Sequence, residues 1–216
     1  MHQHHHKYLM YKAALFDLDG VLVDSEGVYS DFWKKTGEDF EVGVPNFEQV
    51  IKGSTLEQIL NRYFPDEPIR SQVATLIADH EKTMRYILFD GVLHFLQQLS
   101  KKGIPMAIVT SSNATKMNSL FVQNPGFRDF FRTVIVDKDV TNSKPDPEGY
   151  LKAAGRLGVA PADCIVFEDS LNGVKAGIAA GAKVIALSTT NSPERLTPLT
   201  PTVFPTLADV DPDNWF

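Results

Sequence analysis

Five runs of three or four apolar residues punctuate the chain: Ala13-Ala14-Leu15-Phe16, Met106-Ala107-Ile108-Val109, Val134-Ile135-Val136, Cys164-Ile165-Val166-Phe167 and Val184-Ile185-Ala186-Leu187. Short runs that are apolar at every position suit strands buried on both faces, as in a parallel sheet. Between the later runs, apolar residues recur at helical spacing. Val92, Leu93, Leu96 and Leu99 end at Gly103, and Tyr150, Leu151, Ala154 and Leu157 end at Gly158. Ser170 is placed to cap a helix running through Ala180, with Gly181 as its stop. Strand and helix alternate, so this part of the chain reads as an open, doubly wound α/β sheet.

The stretch between the first two runs is different. It holds three helical stripes: Val28, Phe32 and Trp33; Leu56, Ile59, Leu60 and Tyr63; and Val73, Leu76, Ile77 and His80. This predicts a sheet domain from residues 8–24 and 90–216 and a helical insertion over 25–89. The crossings at Val23-Asp24 and Phe89-Asp90-Gly91 are then the hinges. Inserted behind a strand, the helices sit beside the edge where open α/β sheets bind ligands, which makes them a candidate lid. After Leu187 the chain is rich in Pro and Thr and reads as loop plus one short edge segment.

Composition removes several classes of function. A net charge of −6 argues against a nucleic-acid binder, because neutralising phosphates needs a basic face. No apolar run approaches the roughly 20 residues that span a bilayer. One cysteine, Cys164, permits no internal disulfide and suits a reducing compartment. Residues 1–7 carry His2, His4, His5 and His6 and read as a tag-like terminus, not as a metal site or a signal peptide. A cytoplasmic monomer is expected, with neither nucleic acid nor membrane as partner.

The chemistry lies behind the runs. Asp17-Leu18-Asp19-Gly20 follows the first, Thr110-Ser111-Ser112-Asn113 the second and Glu168-Asp169-Ser170 the fourth; Ser143-Lys144-Pro145-Asp146 lies beyond the third. Singly, each has an ordinary explanation: a turn, a helix cap, a solvated lysine, an acidic pair on a helix dipole. In a parallel sheet, however, all four converge on one edge. The four carboxylates of Asp17, Asp19, Glu168 and Asp169, crowded together, cannot all stay ionised unaided, and a hard divalent cation such as Mg²⁺ resolves the conflict. Such a crevice suits phosphoryl transfer. One carboxylate attacks phosphorus, a second acts as acid and then base, and a hydroxyl and a lysine hold the phosphoryl group.

Over roughly Tyr11 to Leu187 the chain resembles the haloacid dehalogenase-like superfamily of phosphotransferases, most closely the branch with β-phosphoglucomutase and sugar-phosphate phosphatases. The resemblance is carried by Phe16-Asp17-Leu18-Asp19-Gly20-Val21-Leu22-Val23-Asp24-Ser25, by Ile108-Val109-Thr110-Ser111-Ser112-Asn113, by Ser143-Lys144-Pro145-Asp146-Pro147 and by Val166-Phe167-Glu168-Asp169-Ser170 with its glycine-rich continuation from Gly173. It implies Asp17 as nucleophile and Asp19 as acid/base. Thr110 and Ser111 would hold phosphoryl oxygens, and Lys144 would bridge nucleophile and phosphoryl group. Mg²⁺ would be held by Asp17, the Asp19 carbonyl, Asp169 and Glu168, the last directly or from behind. Ser112, Asn113 and the cap loop at Lys52-Gly53 would meet the substrate, a small phosphorylated metabolite, under a C1-type helical cap.

Two positions depart from the mutase pattern. Twelve residues after the nucleophile stands Tyr29 instead of histidine, and three residues after the loop glycine stands Leu56 instead of arginine. A mutase holds a bis-phosphate in two orientations and needs those cations. Their absence favours hydrolysis over the mutase, with a pyrophosphatase or an inactive phosphate-binding relative further behind.

Overall fold

All five apolar runs become strands of one sheet in the computed structural model, which describes residues 10–52 and 54–216. The histidines of the first seven residues and Gly53 lie outside the described residues. In chain order, β1 (Ala13–Phe16) is followed by α1 (Glu26–Asp39), α2 (Phe47–Val50), α3 (Leu56–Tyr63) and α4 (Ile69–Thr83). Then come α5 (Val92–Lys101), β2 (Met106–Val109), α6 (Ala114–Gln123), β3 (Thr133–Ile135) and α7 (Glu148–Leu157). The chain closes with β4 (Cys164–Glu168), α8 (Leu171–Ala179), β5 (Lys183–Leu187), α9 (Pro193–Leu196) and β6 (Val203–Phe204).

The sheet order is β3-β2-β1-β4-β5-β6, every pair parallel. The chain winds outward from β1 through β2 and β3, then returns to the other side of β1 with β4. Beside β1 lies the switch point where open sheets of this kind bind ligands. Each strand feeds two cores. Ala14 and Phe16 of β1 face the layer of α5 and α6, while Ala13 and Leu15 face that of α7 and α8. Phe16 stacks on Phe167 of β4, its register partner, with centroids 5.0 Å apart and planes at 10°. Phe95 of α5 meets the Phe16 ring edge-on at 6.2 Å. These aromatic contacts fix β1 and β4 side by side, and with them the residues at their ends.

Several details differ from the sequence expectation. β3 sits one residue earlier than its apolar run, and the short α2 has no periodic signature long enough to read. Leu56, Leu76, Leu93 and Leu151 belong to apolar stripes yet are exposed, because each helix packs against one layer only and buries a narrower face. On α5, Phe95 enters the core where Leu93 does not. Cys164 is buried on β4, and Phe216 at the chain's end packs back beside Phe167. No helix among the described residues is long and apolar enough to cross a membrane.

Helices α1 to α4 enclose a separate apolar cluster: Trp33, Phe47, Ile51, Ile59, Leu60, Phe64, Val73 and Ile77. Two crossings join them to the sheet, and these run side by side. Asp24 N–H donates to the Ile87 carbonyl at 2.8 Å and Phe89 N–H to that of Leu22 at 3.1 Å. Phe47 is 4% exposed and packs edge-on against Trp33, Tyr63 and Phe64. Phe47→Ala is expected to cost about 3–5 kcal/mol. Hydrogen exchange should show the loss in amides of α1 to α4, with β1 and β4 still protected; uniform loss would show that insertion and sheet unfold as one unit.

Candidate active site

The site is built first where the chain bends as it leaves β1. In Asp17-Leu18-Asp19, Leu18 is fully buried, and the two flanking aspartates line the cleft. The Leu18 carbonyl then accepts from the N–H groups of Val21, Leu22 and Val23, which turns the chain sharply upward to the insertion. Asp17 follows β1, Thr110 follows β2, and Asp169 follows the last residue of β4, Glu168. Lys144 arrives from the loop between β3 and α7. Together they line one cleft of about 1170 Å³ between the sheet edge and the inserted helices.

Lys144 is the hub. Its ammonium donates to Asp17 Oδ1 at 3.0 Å, Glu168 Oε1 at 2.7 Å and the Val109 carbonyl at 2.9 Å. Burial works against its charge, but Asp17 and Glu168 hold it above the ordinary lysine range. Burial also works against the Asp17 anion, yet Lys144 and the hydrogen bonds around it leave that carboxyl below its usual value. Glu168 is pushed up to about 7 by burial and by the Asp17 charge, with Lys144 and Tyr150 pulling the other way.

The acidic group is laid out for a cation. One carboxylate oxygen each from Asp17, Glu168 and Asp169 lies within 4.8 Å of the others. Glu168 is already saturated: Lys144 and the Tyr150 hydroxyl bond Oε1, while the Asp169 N–H and Ser170 hydroxyl reach Oε2. Asp169 is not. Thr190 donates to Oδ2 at 2.6 Å, but Oδ1 is buried with no hydrogen-bond partner. A buried carboxylate oxygen without a donor among the described residues is what an absent cation leaves behind. Burial and the charges of Asp17 and Glu168 also raise Asp169 well above the usual carboxylate range. The residues therefore fit a divalent metal, with Glu168 placed behind Asp169 and Lys144.

Two glycines leave room for these carboxylates. A Cβ at Gly20, whose φ is +82°, would fall 1.9 Å from Asp169 Oδ2, and one at Gly173 would fall 2.0 Å from Glu168 Cδ.

Thr110 is buried, and its hydroxyl accepts from the Ser112 N–H at 3.0 Å. Asn113 caps α6 by accepting from the Lys116 N–H at 2.8 Å. Ser111, Ser112 and Asn113 line the cleft, as does Lys52, whose ammonium is paired with Glu26. Tyr29 also lines it and donates to Glu81 Oε2 at 3.0 Å. Leu56 is an exposed apolar side chain on the cleft wall.

Asp19 has partners that sequence reasoning missed. Ser25 stands at the N-cap of α1, yet its hydroxyl makes no cap; it donates to Asp19 Oδ1 at 2.5 Å. Lys116, 2% exposed in the first turn of α6, reaches Asp19 Oδ2 at 2.7 Å. In sequence Lys116 is an ordinary helix lysine; its one oddity is a place at the end of the helix that disfavours a cation.

A family model described as haloacid dehalogenase-like hydrolase matches residues 11–181. The chain is 31% identical over 196 residues to the validoxylamine A 7'-phosphate phosphatase of Streptomyces hygroscopicus subsp. limoneus, covering 87% of this chain and 90% of that protein. It is 29% identical over 214 residues to the bifunctional riboflavin kinase/FMN phosphatase of Arabidopsis thaliana, covering 94% of this chain but only 55% of that one. Among solved structures, a family IA, variant 3 hydrolase from Entamoeba histolytica HM-1:IMSS superposes with a TM-score of 0.80 at 26% identity, covering 94% and 96% of the two chains.

The glycine cradle is testable without any substrate. Gly173→Ala forces a methyl group into the Glu168 carboxylate and is expected to lower the melting temperature by several degrees. Gly155 of α7, with nothing within 4 Å of its added Cβ, is the control. Its change to Ala should stabilise by about 0.5–1 kcal/mol through helix propensity alone.

Proposed function

Because the chain belongs to the haloacid dehalogenase-like hydrolase family, we propose that it is a Mg²⁺-dependent phosphatase. Its substrate is a small, sugar-phosphate-like metabolite, and its intermediate is phospho-Asp17. The observation that carries this reading is the Lys144 ammonium bridging Asp17 and Glu168 at the floor of the cleft that Asp19, Thr110 and Asp169 also line. The helices of the insertion would serve as the cap over it.

An ionised Asp17 carboxylate attacks phosphorus while the ester P–O bond breaks. Asp19 hands its proton to the departing oxygen, and the alcohol leaves. Water then attacks the acyl phosphate, gives its proton to Asp19, and inorganic phosphate departs with Asp17 restored. Lys144, the Thr110 hydroxyl and the Ser111 N–H hold the phosphoryl oxygens and offset their developing charge. The Asp17 carboxylate, the Asp19 main-chain carbonyl and Asp169 would hold the metal, with Glu168 behind them. A bound Mg²⁺ supplies positive charge against the carboxylates and the phosphoryl group.

Hydrolysis is favoured over mutase chemistry by the cleft's charges. Leu56 offers no guanidinium, Tyr29 is turned to Glu81, and Lys52 is occupied by Glu26, which leaves Arg70 of α4 as the guanidinium on the cleft wall. With a bis-phosphate primer present, phosphate release from β-glucose 1-phosphate is therefore expected to outrun formation of glucose 6-phosphate. Faster isomerisation than release would establish the mutase instead.

In a p-nitrophenyl phosphate assay, activity should require Mg²⁺ and be abolished by EDTA. Asp17→Asn should keep the fold and lose roughly two to four decades or more of turnover. Wild-type rates in that variant would sink the mechanism. Metal binding has its own readout in thermal melting. Glu168 has its value raised to about 7, so in EDTA the folded state holds a proton that the unfolded chain releases above about 4.3. The stability this gives is complete at low pH and is lost as pH rises through about 7. Mg²⁺ should thus raise the melting temperature more at pH 8 than at pH 5.5, and Asp169→Ala should remove the difference.

A further inference from the structure

Among the described residues, Lys116 is the one buried ammonium that the proposed reaction leaves without a task. It is 2% exposed, in the first turn of α6, where the helix dipole disfavours a cation and burial disfavours any charge. Its Nζ lies 2.7 Å from Asp19 Oδ2 and 4.7 Å from the centre of the Tyr29 ring. Tyr29, on α1, donates through its hydroxyl to Glu81 Oε2 on α4, and Tyr86 bonds the Glu81 carbonyl at 2.5 Å. Ser25 takes the other Asp19 oxygen from the start of α1. The Ser112 hydroxyl also reaches Oδ2, at 3.5 Å, so both oxygens of Asp19 are oriented, and the one charged group among the three donors is an ammonium covered by the insertion.

We propose that Lys116 is a positioning residue for Asp19, and that Tyr29 and Glu81 of the inserted helices hold its ammonium in place. This rests on the reading of Asp19 as the acid that protonates the leaving oxygen. A carboxyl side chain has two free torsions; Ser25 holds one oxygen closely, while Ser112 reaches the other only at 3.5 Å. The second close contact, from Lys116, fixes the plane of the carboxyl group. Because the ammonium lies beneath the Tyr29 ring, the aim of Asp19 depends on how the insertion sits over the sheet edge. Burial keeps Tyr29 a neutral phenol, well above its usual range, so it remains a donor to Glu81.

The test separates positioning from binding and from folding through the leaving group. Phenyl phosphate and p-nitrophenyl phosphate are nearly the same shape, but phenolate needs the proton far more than p-nitrophenolate does. For each, kcat/KM covers every step through release of the phenol. Lys116→Met is expected to lower kcat/KM on phenyl phosphate by about 10²-fold and on p-nitrophenyl phosphate by less than about 5-fold, a loss in the range of general-acid catalysis. Lys116→Arg should restore most of the ratio. Tyr29→Phe, which deletes only the hydroxyl, should shift it the same way by a few-fold, and it serves if Lys116→Met does not fold. Equal loss on both esters would make Lys116 a phosphoryl-binding or purely structural residue and overturn the proposal, as would no loss on either. Asp17→Asn run beside them tells the two readings apart. If it stays active, the mechanism has failed; if it is dead while the leaving-group ratio in Lys116→Met is unchanged, only the positioning role has failed.

Discussion

The contact between the Lys144 ammonium and the carboxylates of Asp17 and Glu168 is what allows the rest of the site to exist. A fully buried Glu168 would not remain charged beside Asp17 in a medium of low polarity. Lys144 brings one positive charge to the pair, and its third donor goes to the Val109 carbonyl at the end of β2. The loop after β3 is thereby tied to three strands at once. A polar crevice of this kind can sit at the edge of an apolar sheet because the charges are shared among neighbours and not carried by one group.

Backbone geometry sets the stage for that contact. Strands β1, β2 and β4 are adjacent and parallel, so the residue that follows each lands on the same edge. The stacked Phe16 and Phe167 immediately precede Asp17 and Glu168, so the packing that joins the strands also sets the separation of the carboxylates. Gly20 and Gly173 carry no side chain where those carboxylates need space. Each part of the site thus depends on an apolar contact one or two residues away.

That dependence explains what could be read in the sequence. Strands apolar at every position announced themselves, and Asp17, Thr110 and Asp169 needed only the rule that parallel strands end together. Lys144 stood out less by position than by company, between Ser143 and Pro145. Lys116, Ser25, Glu81, Tyr150 and Thr190 carried no such mark. Lys116 reaches Asp19 across 97 positions of chain and Tyr150 reaches Glu168 from within α7. Contacts made across helices follow from the angle at which each helix packs, which no local pattern encodes. Ser25 stands at the start of α1, yet its hydroxyl turns to a carboxylate and makes no cap. The exposed Leu56, Leu76, Leu93 and Leu151 fail for the same reason, since periodicity gives the face of a helix and only packing gives its width.

The two aspartates of the first motif, separated by one residue, are each paired with a lysine from a different part of the fold. Asp17 is held by Lys144 from the loop after β3, whereas Asp19 is held by Ser25 at the start of the insertion and by Lys116 of α6. Alternation about the buried Leu18 makes the separation possible, and a cation on each side makes it stable. A nucleophile must stay where the sheet puts it, because attack on phosphorus tolerates little displacement. A proton carrier must answer to the leaving group instead. In the proposed reaction, anchoring the first to the sheet edge and the second partly to the insertion gives each the placement its task requires.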